Sequence, residues 1–168
     1  MATERPISEE APPTEPLTAE LAQWLADNGF PPDGVNHSGV GGSTPLLRAS
    51  KEGNLPLLRE LAAAGAALDA TDSYGNNAIW LACASDAIEA IDFLVAAGVD
   101  VNHCNADGAT ALIYASSAGK AAFVERLLRL GADPALVTVD GFSALDLAST
   151  RECLDLLRGR KRIEAPAT

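Results

Sequence analysis

Glycines that recur at a fixed interval constrain the fold of this 168-residue chain more strongly than any other feature. One series is Gly42, Gly75, Gly108 and Gly141, and a second is Gly65, Gly98 and Gly131. Both series keep an interval of 33 residues. Such a period is typical of repeat proteins, in which each unit is a small supersecondary structure that must stack on its neighbours. The sequence therefore predicts a solenoid of stacked units.

The start of each unit carries the signals of a short helix. Residues that can accept a hydrogen bond from a free helix amide recur in register, namely Thr44, Asn77, Thr110 and Ser143. Pro45 then takes the first helical position, where its missing N–H costs nothing. Alanine-rich segments follow, and their small side chains let neighbouring helices approach closely. We therefore predict first helices at 45–51, 78–85, 111–118 and 144–149.

A second helix follows each of the first three after a short turn. Apolar residues recur at i, i+3 and i+4 and predict second helices at 55–64, 88–97 and 121–130. The second glycine series falls just past these helices, where a left-handed residue ends a helix. In the second unit Asp86 replaces the turn glycine, and its spacing from Glu89 predicts a capping box.

The segments between units are rich in turn-forming residues. They span 69–75, 102–108 and 136–141 and have Asp, Asn and Gly where a tight hairpin needs them. With the Thr44-Pro45-Leu46 start of a first helix, this pattern resembles the ankyrin repeat. The resemblance implies an all-α repeat solenoid of helix-turn-helix units joined by β-hairpin-like loops.

The resemblance also divides the chain. The repeats would be 39–71, 72–104 and 105–137, with 138–158 as a shortened C-terminal cap. Residues 17–38 would hold an N-terminal capping helix and a connector. Residues 1–16 are predicted to be a disordered acidic and proline-rich tail, and 159–168 a polar tail.

The sequence departs from the family pattern directly after the Thr-Pro-Leu positions. Where the family usually has His, this chain has Leu47, Trp80, Ile113 and Asp146. The hydrogen bonds that this His makes between repeats must therefore be absent or differently made. Trp80 and Tyr114 are expected to fill the space that the missing His leaves.

The net charge of −11 argues against nucleic acid and against an anionic membrane surface as partners. It would steer a basic patch of a partner protein towards the chain, although acidity is also an ordinary route to solubility. Three cysteines, an odd number without metal-site spacing, predict free thiols and a cytoplasmic location. The N-terminus does not read as a signal peptide, and no apolar run is long enough to span a bilayer.

No arrangement of reactive residues predicts catalysis, a cofactor or a metal ion. His37 and His103 have no partners at metal-ligand spacing, and His103 and Cys104 are sequence neighbours whose side chains should diverge. The glycines at 39–42 are not followed by the Lys-Ser/Thr of a phosphate loop. Two alternatives to a binding protein stay open: an enzyme with a thiol site, using Cys104, and a self-assembly module.

The resemblance implies that a protein partner docks on the concave surface formed by hairpin tips and first helices. The candidate contact residues are Val40, Ser43, Lys51, Glu52, Ser73, Tyr74, Asn76, Trp80, Ala84, Cys104, Asp107, Ala109, Tyr114, Ser117, Val139 and Phe142. Tyr74 is the favoured anchor because a core role is least natural at a hairpin tip. For Phe142 a core role and a contact role stay open. We expect an accessory, inhibitory or adaptor protein that is monomeric when free.

Overall fold

The computed structural model describes residues 16–159, which form an all-α repeat solenoid, as the sequence predicts. Its helices are α1 Ala19–Asp27, α2 Pro45–Glu52, α3 Leu55–Ala63, α4 Ala78–Ala84, α5 Ile88–Ala97, α6 Ala111–Ser117, α7 Ala121–Arg129 and α8 Arg151–Leu157. A short 3₁₀ turn precedes α2 at Val40–Gly42. The predicted tails lie outside the described residues, apart from Pro16 and Gly159 at their borders.

The first helices start where their capping residues predict. The side chains of Thr44, Asn77 and Thr110 each accept a hydrogen bond from a backbone amide three residues on, at 3.4, 3.0 and 3.2 Å. The six helices α2 to α7 begin at the predicted residues and end within one residue of the predicted ends.

The helices form two rows. In the inner row α2 packs on α4 and α4 on α6, and in the outer row α3 packs on α5. The alanines at the inner crossings, Ala49, Ala82 and Ala115, are fully buried, which allows the close approach. The outer helices bury matching leucines at the same 33-residue interval, namely Leu61, Leu94 and Leu127. The core is therefore one continuous apolar layer between the two rows.

The loops between repeats stack into a column of hairpins. The amides of Ser73, Ala106 and Val139 donate hydrogen bonds to carbonyl oxygens of the preceding hairpin, at 2.8, 3.0 and 3.0 Å. A Cβ placed on Gly42, Gly75 or Gly108 would lie 2.8–3.0 Å from one of these same amides. These three glycines are thus required both by a positive φ and by the stacking of the next hairpin.

The prediction of a first helix at 144–149 is wrong. The chain there makes only a hydrogen-bonded turn, closed by the Leu147 amide on the Ser143 carbonyl at 3.2 Å. The last repeat is short, so the chain must leave this turn and start α8, whose amides are capped by Thr150. Ser143 and Asp146 still bond each other reciprocally, and the bonds that Ser143 donates hold the pKa of Asp146 below its ordinary value.

The predicted capping box of Asp86 and Glu89 is also wrong. Asp86 has a φ of +61° and lies 33 residues after Gly53 and 33 before Gly119, both of which have positive φ. Its carboxylate accepts a 2.5 Å hydrogen bond from the ammonium of Lys120, while the N-cap residue of α5 is Ala87, which makes no side-chain cap. Asp86 therefore takes the left-handed position that glycine holds in the other repeats.

Other residues supply the inter-repeat hydrogen bonds expected of the missing histidine. The hydroxyl of Ser85 in the second repeat donates to the Ser50 carbonyl of the first at 3.1 Å. The hydroxyl of Ser116 donates to the Ala144 carbonyl at 2.6 Å. The bonds between repeats are therefore differently made rather than lost.

The N-terminal helix α1 packs against α3. Leu21 and Leu25 are its buried residues, and the side chain of Thr18 caps its first turn. Trp24 stacks on Phe30, with ring centroids 6.2 Å apart. Through these contacts α1 covers the apolar surface of the first repeat.

Candidate functional site

The hairpin tips and the inner helices enclose a groove of about 520 Å³. It lies along the second repeat, between Lys51 of the first repeat and the hairpin of the third. Its lining residues are Lys51, Asp72, Tyr74, Asn76, Trp80, Leu81, Ala84, Ser85, Asn105 and Asp107.

Trp80, in the groove wall, belongs to an aromatic pair. Trp80, half-buried on α4, packs against Tyr114 on α6 with ring centroids 4.6 Å apart and planes tilted by 42°. Behind the pair, the Lys120 ammonium lies 5.8 Å from the Tyr114 ring and donates to the Cys83 carbonyl at 2.9 Å. The Tyr114 ring therefore lies between Trp80 of one repeat and Lys120, which supports the prediction that these rings fill space between repeats.

The hairpin tip places Tyr74 at the rim of the groove. The amide of Tyr74 donates to the Asp72 carboxylate at 2.9 Å, and its carbonyl accepts from the Ala106 amide at 3.0 Å. Its side chain is nevertheless 72% exposed. A large ring on a fixed backbone can contact a partner at little cost in conformational entropy.

A chain of polar side chains supports the rim from below. Asn76 is only 6% exposed. Its side-chain nitrogen donates to the Asp72 carboxylate at 3.2 Å, and its side-chain oxygen accepts from the side-chain nitrogen of Asn105 at 3.0 Å. The side-chain oxygen of Asn105 in turn accepts from the Asp107 and Ala109 amides. Asn76 therefore lines the groove as a nearly buried residue that joins two hairpins, and its contact with a partner stays a prediction.

The two edges of the groove carry opposite charges. Lys51, in the last turn of α2, lies on one side, and Asp107, at the tip of the third hairpin, lies on the other. Both residues are exposed, and neither charged group has an ion-pair or hydrogen-bond partner among residues 16–159. Lys120, by contrast, is committed to Asp86.

A family model described as ankyrin repeats (3 copies) matches residues 17–105 and 87–165, which together span most of the chain. The chain belongs to the ankyrin-repeat family. No curated protein sequence matches it. Ankyrin repeats generally mediate protein–protein interaction and are typically non-catalytic.

The ankyrin stack brings part of the predicted contact set together. The predicted residues that line the groove are Lys51, Tyr74, Asn76, Trp80, Ala84 and Asp107. Tyr114 packs behind Trp80, and Ser73 is exposed beside Tyr74. The groove residues missing from the predicted set are Asp72, Leu81, Ser85 and Asn105. The 33-residue interval between Asp72 and Asn105 was the signal that could have found these two.

Three other predicted residues mark the two ends of the ankyrin hairpin column. Val40 is 99% exposed at the first hairpin, and Val139 and Phe142 are 73% and 48% exposed at the last. Phe142 is therefore a surface residue, and the core alternative for it is corrected. Its exposure follows from its place in the last hairpin, with nothing within 4 Å of a Cβ on the adjacent Gly141.

The remaining predicted residues lie away from the groove. Glu52 pairs with Arg48 at 2.8 Å, and the Ser117 hydroxyl donates to the Tyr114 carbonyl at 2.9 Å. Cys104 is exposed, with its thiol directed to the Asn102 carbonyl. Ser43 and Ala109, half-buried, are also not among the groove residues.

The thiol of Cys83, which is buried in the ankyrin core, is unreactive at neutral pH. Burial raises the pKa of Cys83 to about 12, outweighing the opposite effect of the nearby Lys120 ammonium. Because the thiolate is the nucleophilic form, Cys83 stays inert at neutral pH. Between residues 16 and 159, no group of His, Cys, Asp and Glu side chains is placed to hold a metal ion. In the same range, no helix is long and apolar enough to cross a membrane.

Proposed function

We propose that this protein is a non-catalytic adaptor or inhibitor that binds one protein partner in the groove between its hairpin tips and inner helices. The observation that carries the proposal is the 72% exposure of Tyr74 at the rim of the groove, on a backbone fixed by two hydrogen bonds. Exposed tyrosines held on rigid elements are frequent anchors of protein interfaces.

In this proposal the protein acts in the cytosol and is a monomer until it binds its partner. The three free cysteines support a reducing compartment, because an oxidising one would act on the exposed thiol of Cys104. An acidic net charge supports both solubility and attraction to a basic patch on the partner.

Position-specific crosslinking tests the proposal. A photo-crosslinking amino acid would replace Tyr74 in the full chain and, as the control, Glu89, an exposed residue on the outer helix α5. In extract of the native cell, one protein should crosslink at position 74 and not at position 89. Crosslinking of that protein at position 89 alone would move the binding surface to the outer face and overturn the proposal.

Self-assembly is a second candidate function, favoured by the open end of the hairpin column. Val137, Val139 and Phe142 expose apolar surface there, where a further hairpin would stack. Light scattering separates the two functions. The binding protein gives the monomer mass of 17.3 kDa, whereas a self-assembling chain gives a mass that grows with concentration and falls in Val139→Asp.

A further inference from the structure

We infer that the groove binds an extended, basic segment of the partner, with an apolar side chain against Tyr74 and Trp80 and a Lys or Arg at Asp107. This inference rests on the proposed function and names the chemistry of the partner that the groove would take.

The wall between the two edges is apolar. Trp80, Leu81 and Ala84 follow one another along the groove side of α4, and Tyr74 stands over them from the hairpin tip. An aliphatic or aromatic side chain placed there would bury apolar surface against the rings of Tyr74 and Trp80. Such burial contributes roughly 25 cal/mol for each Å² removed from water.

The free charge at the hairpin edge is negative. The Asp107 carboxylate is exposed and unpaired among the described residues, and its amide is fixed by Asn105 at 3.0 Å. Asp140 is exposed in the same position of the next hairpin. A basic segment that lies along the hairpin tips therefore meets one exposed carboxylate in each of two successive repeats.

The basic side chains of Lys120 and Arg48 do not neutralise the carboxylate of Asp107, because each is paired with another carboxylate. The ammonium of Lys120 is bound by Asp86 at 2.5 Å, and Arg48 is bound by Glu52 at 2.8 Å. Lys51 is the single basic residue among the described residues that line the groove, and it lies on the helix α2 side. Charge complementarity at the tips thus favours a basic segment over an acidic one.

The repeat geometry sets the spacing of the two anchors. Tyr74 and Asp107 occupy equivalent positions in adjacent hairpins, 33 residues apart. Packed helices lie roughly 10 Å apart, and an extended chain advances roughly 3.3 Å per residue. The apolar anchor and the basic residue of the segment should therefore be about three residues apart.

Peptide selection on the full-length protein tests the inference. The probe is a phage-displayed library of random peptides, with counter-selection on Tyr74→Ala so that only groove-dependent binders are kept. We expect the selected peptides to pair an apolar residue with Lys or Arg about three positions away. Their affinity should fall about tenfold in Asp107→Lys and change by less than about twofold in Glu89→Lys, the matched charge reversal on α5.

Two variants fix the direction of the charge effect. Lys51→Glu should raise the affinity, because it replaces the cation of the groove lining with a carboxylate, and raising the salt concentration should lower the affinity. Groove-dependent peptides that are neutral or acidic, or that keep their affinity in Asp107→Lys, would overturn the basic segment while the groove itself stands. If the peptides recovered on the wild type before counter-selection all bound Tyr74→Ala equally well, the groove would be overturned, and failure to select any peptide would overturn a linear segment as the ligand.

Discussion

The amide of Val139 donates a 3.0 Å hydrogen bond to the carbonyl of Asp107 and so joins the last hairpin of the solenoid to the one before it. The bond requires close contact between the two hairpins. A Cβ on Gly108 would lie 2.8 Å from this same amide nitrogen, whereas a Cβ on Gly141 would have nothing within 4 Å. Stacking therefore constrains Gly108 and leaves Gly141 free.

The two glycines give a matched test of hairpin stacking. Their φ angles are +74° and +84°, so Ala costs about 1 kcal/mol at either position through backbone strain alone. Gly108→Ala adds a clash with the Val139 amide and should lower the free energy of unfolding clearly more than Gly141→Ala does. Urea unfolding followed by circular dichroism measures both. Equal losses would show that the hairpins do not stack as described.

Asp86 provides a second test, of the left-handed position that links α4 to α5. Asp86→Ala should destabilise by about 1 kcal/mol more than Asp86→Gly, because both lose the bond to Lys120 but only Ala is strained at a φ of +61°. Thermal unfolding of the two variants gives the difference. Equal losses in Asp86→Ala and Asp86→Gly would contradict the left-handed position, and a loss in Glu89→Ala as large as in Asp86→Ala would support a capping box instead.

The regular part of the fold could be predicted because its signals are local. The caps Thr44, Asn77 and Thr110 and the glycine series each mark one helix end, and the helices follow within one residue. The capping-box prediction for Asp86 is wrong because it rests on the local spacing to Glu89. The 33-residue interval places Asp86 midway between Gly53 and Gly119 and indicates the left-handed position instead. The missing helix at 144–149 depends on how few residues remain before α8, which no local pattern encodes.

The candidate site was predictable to a smaller extent. The exposure of Tyr74 follows from its place at a hairpin tip, and this was predicted. The burial of Asn76 depends on Asn105, which reaches it from the next repeat at 3.0 Å. Contacts between repeats therefore decide which loop residues stay available, and a sequence pattern within one repeat does not contain them.

Alkaline unfolding should report the burial of Cys83. Its pKa in the folded chain is about 12, above the pKa of about 8.5 for a free thiol. The unfolded chain therefore loses this proton first, and stability that is complete below about pH 8.5 is lost as the pH rises towards 12. The loss is at most about 1.4 kcal/mol for each pH unit in that window.

The measurement is the free energy of unfolding between pH 8.5 and pH 10.5, which brackets the start of the window. Cys83→Ala should flatten the decline, whereas Cys104→Ala removes an exposed thiol and should retain it. A decline that is the same in wild type and Cys83→Ala would contradict the assignment of the effect to this buried thiol.

Binding through Tyr74 is the central claim, and one pair of measurements on Tyr74→Ala tests it most directly. The affinity for the partner crosslinked at position 74 would be measured by calorimetry, and the midpoint of thermal unfolding would be measured on the same preparation. We expect the affinity to fall about tenfold or more, as for an interface anchor, with the unfolding midpoint nearly unchanged. An unchanged affinity, or a loss of stability that accounts for the loss of binding, would contradict the claim.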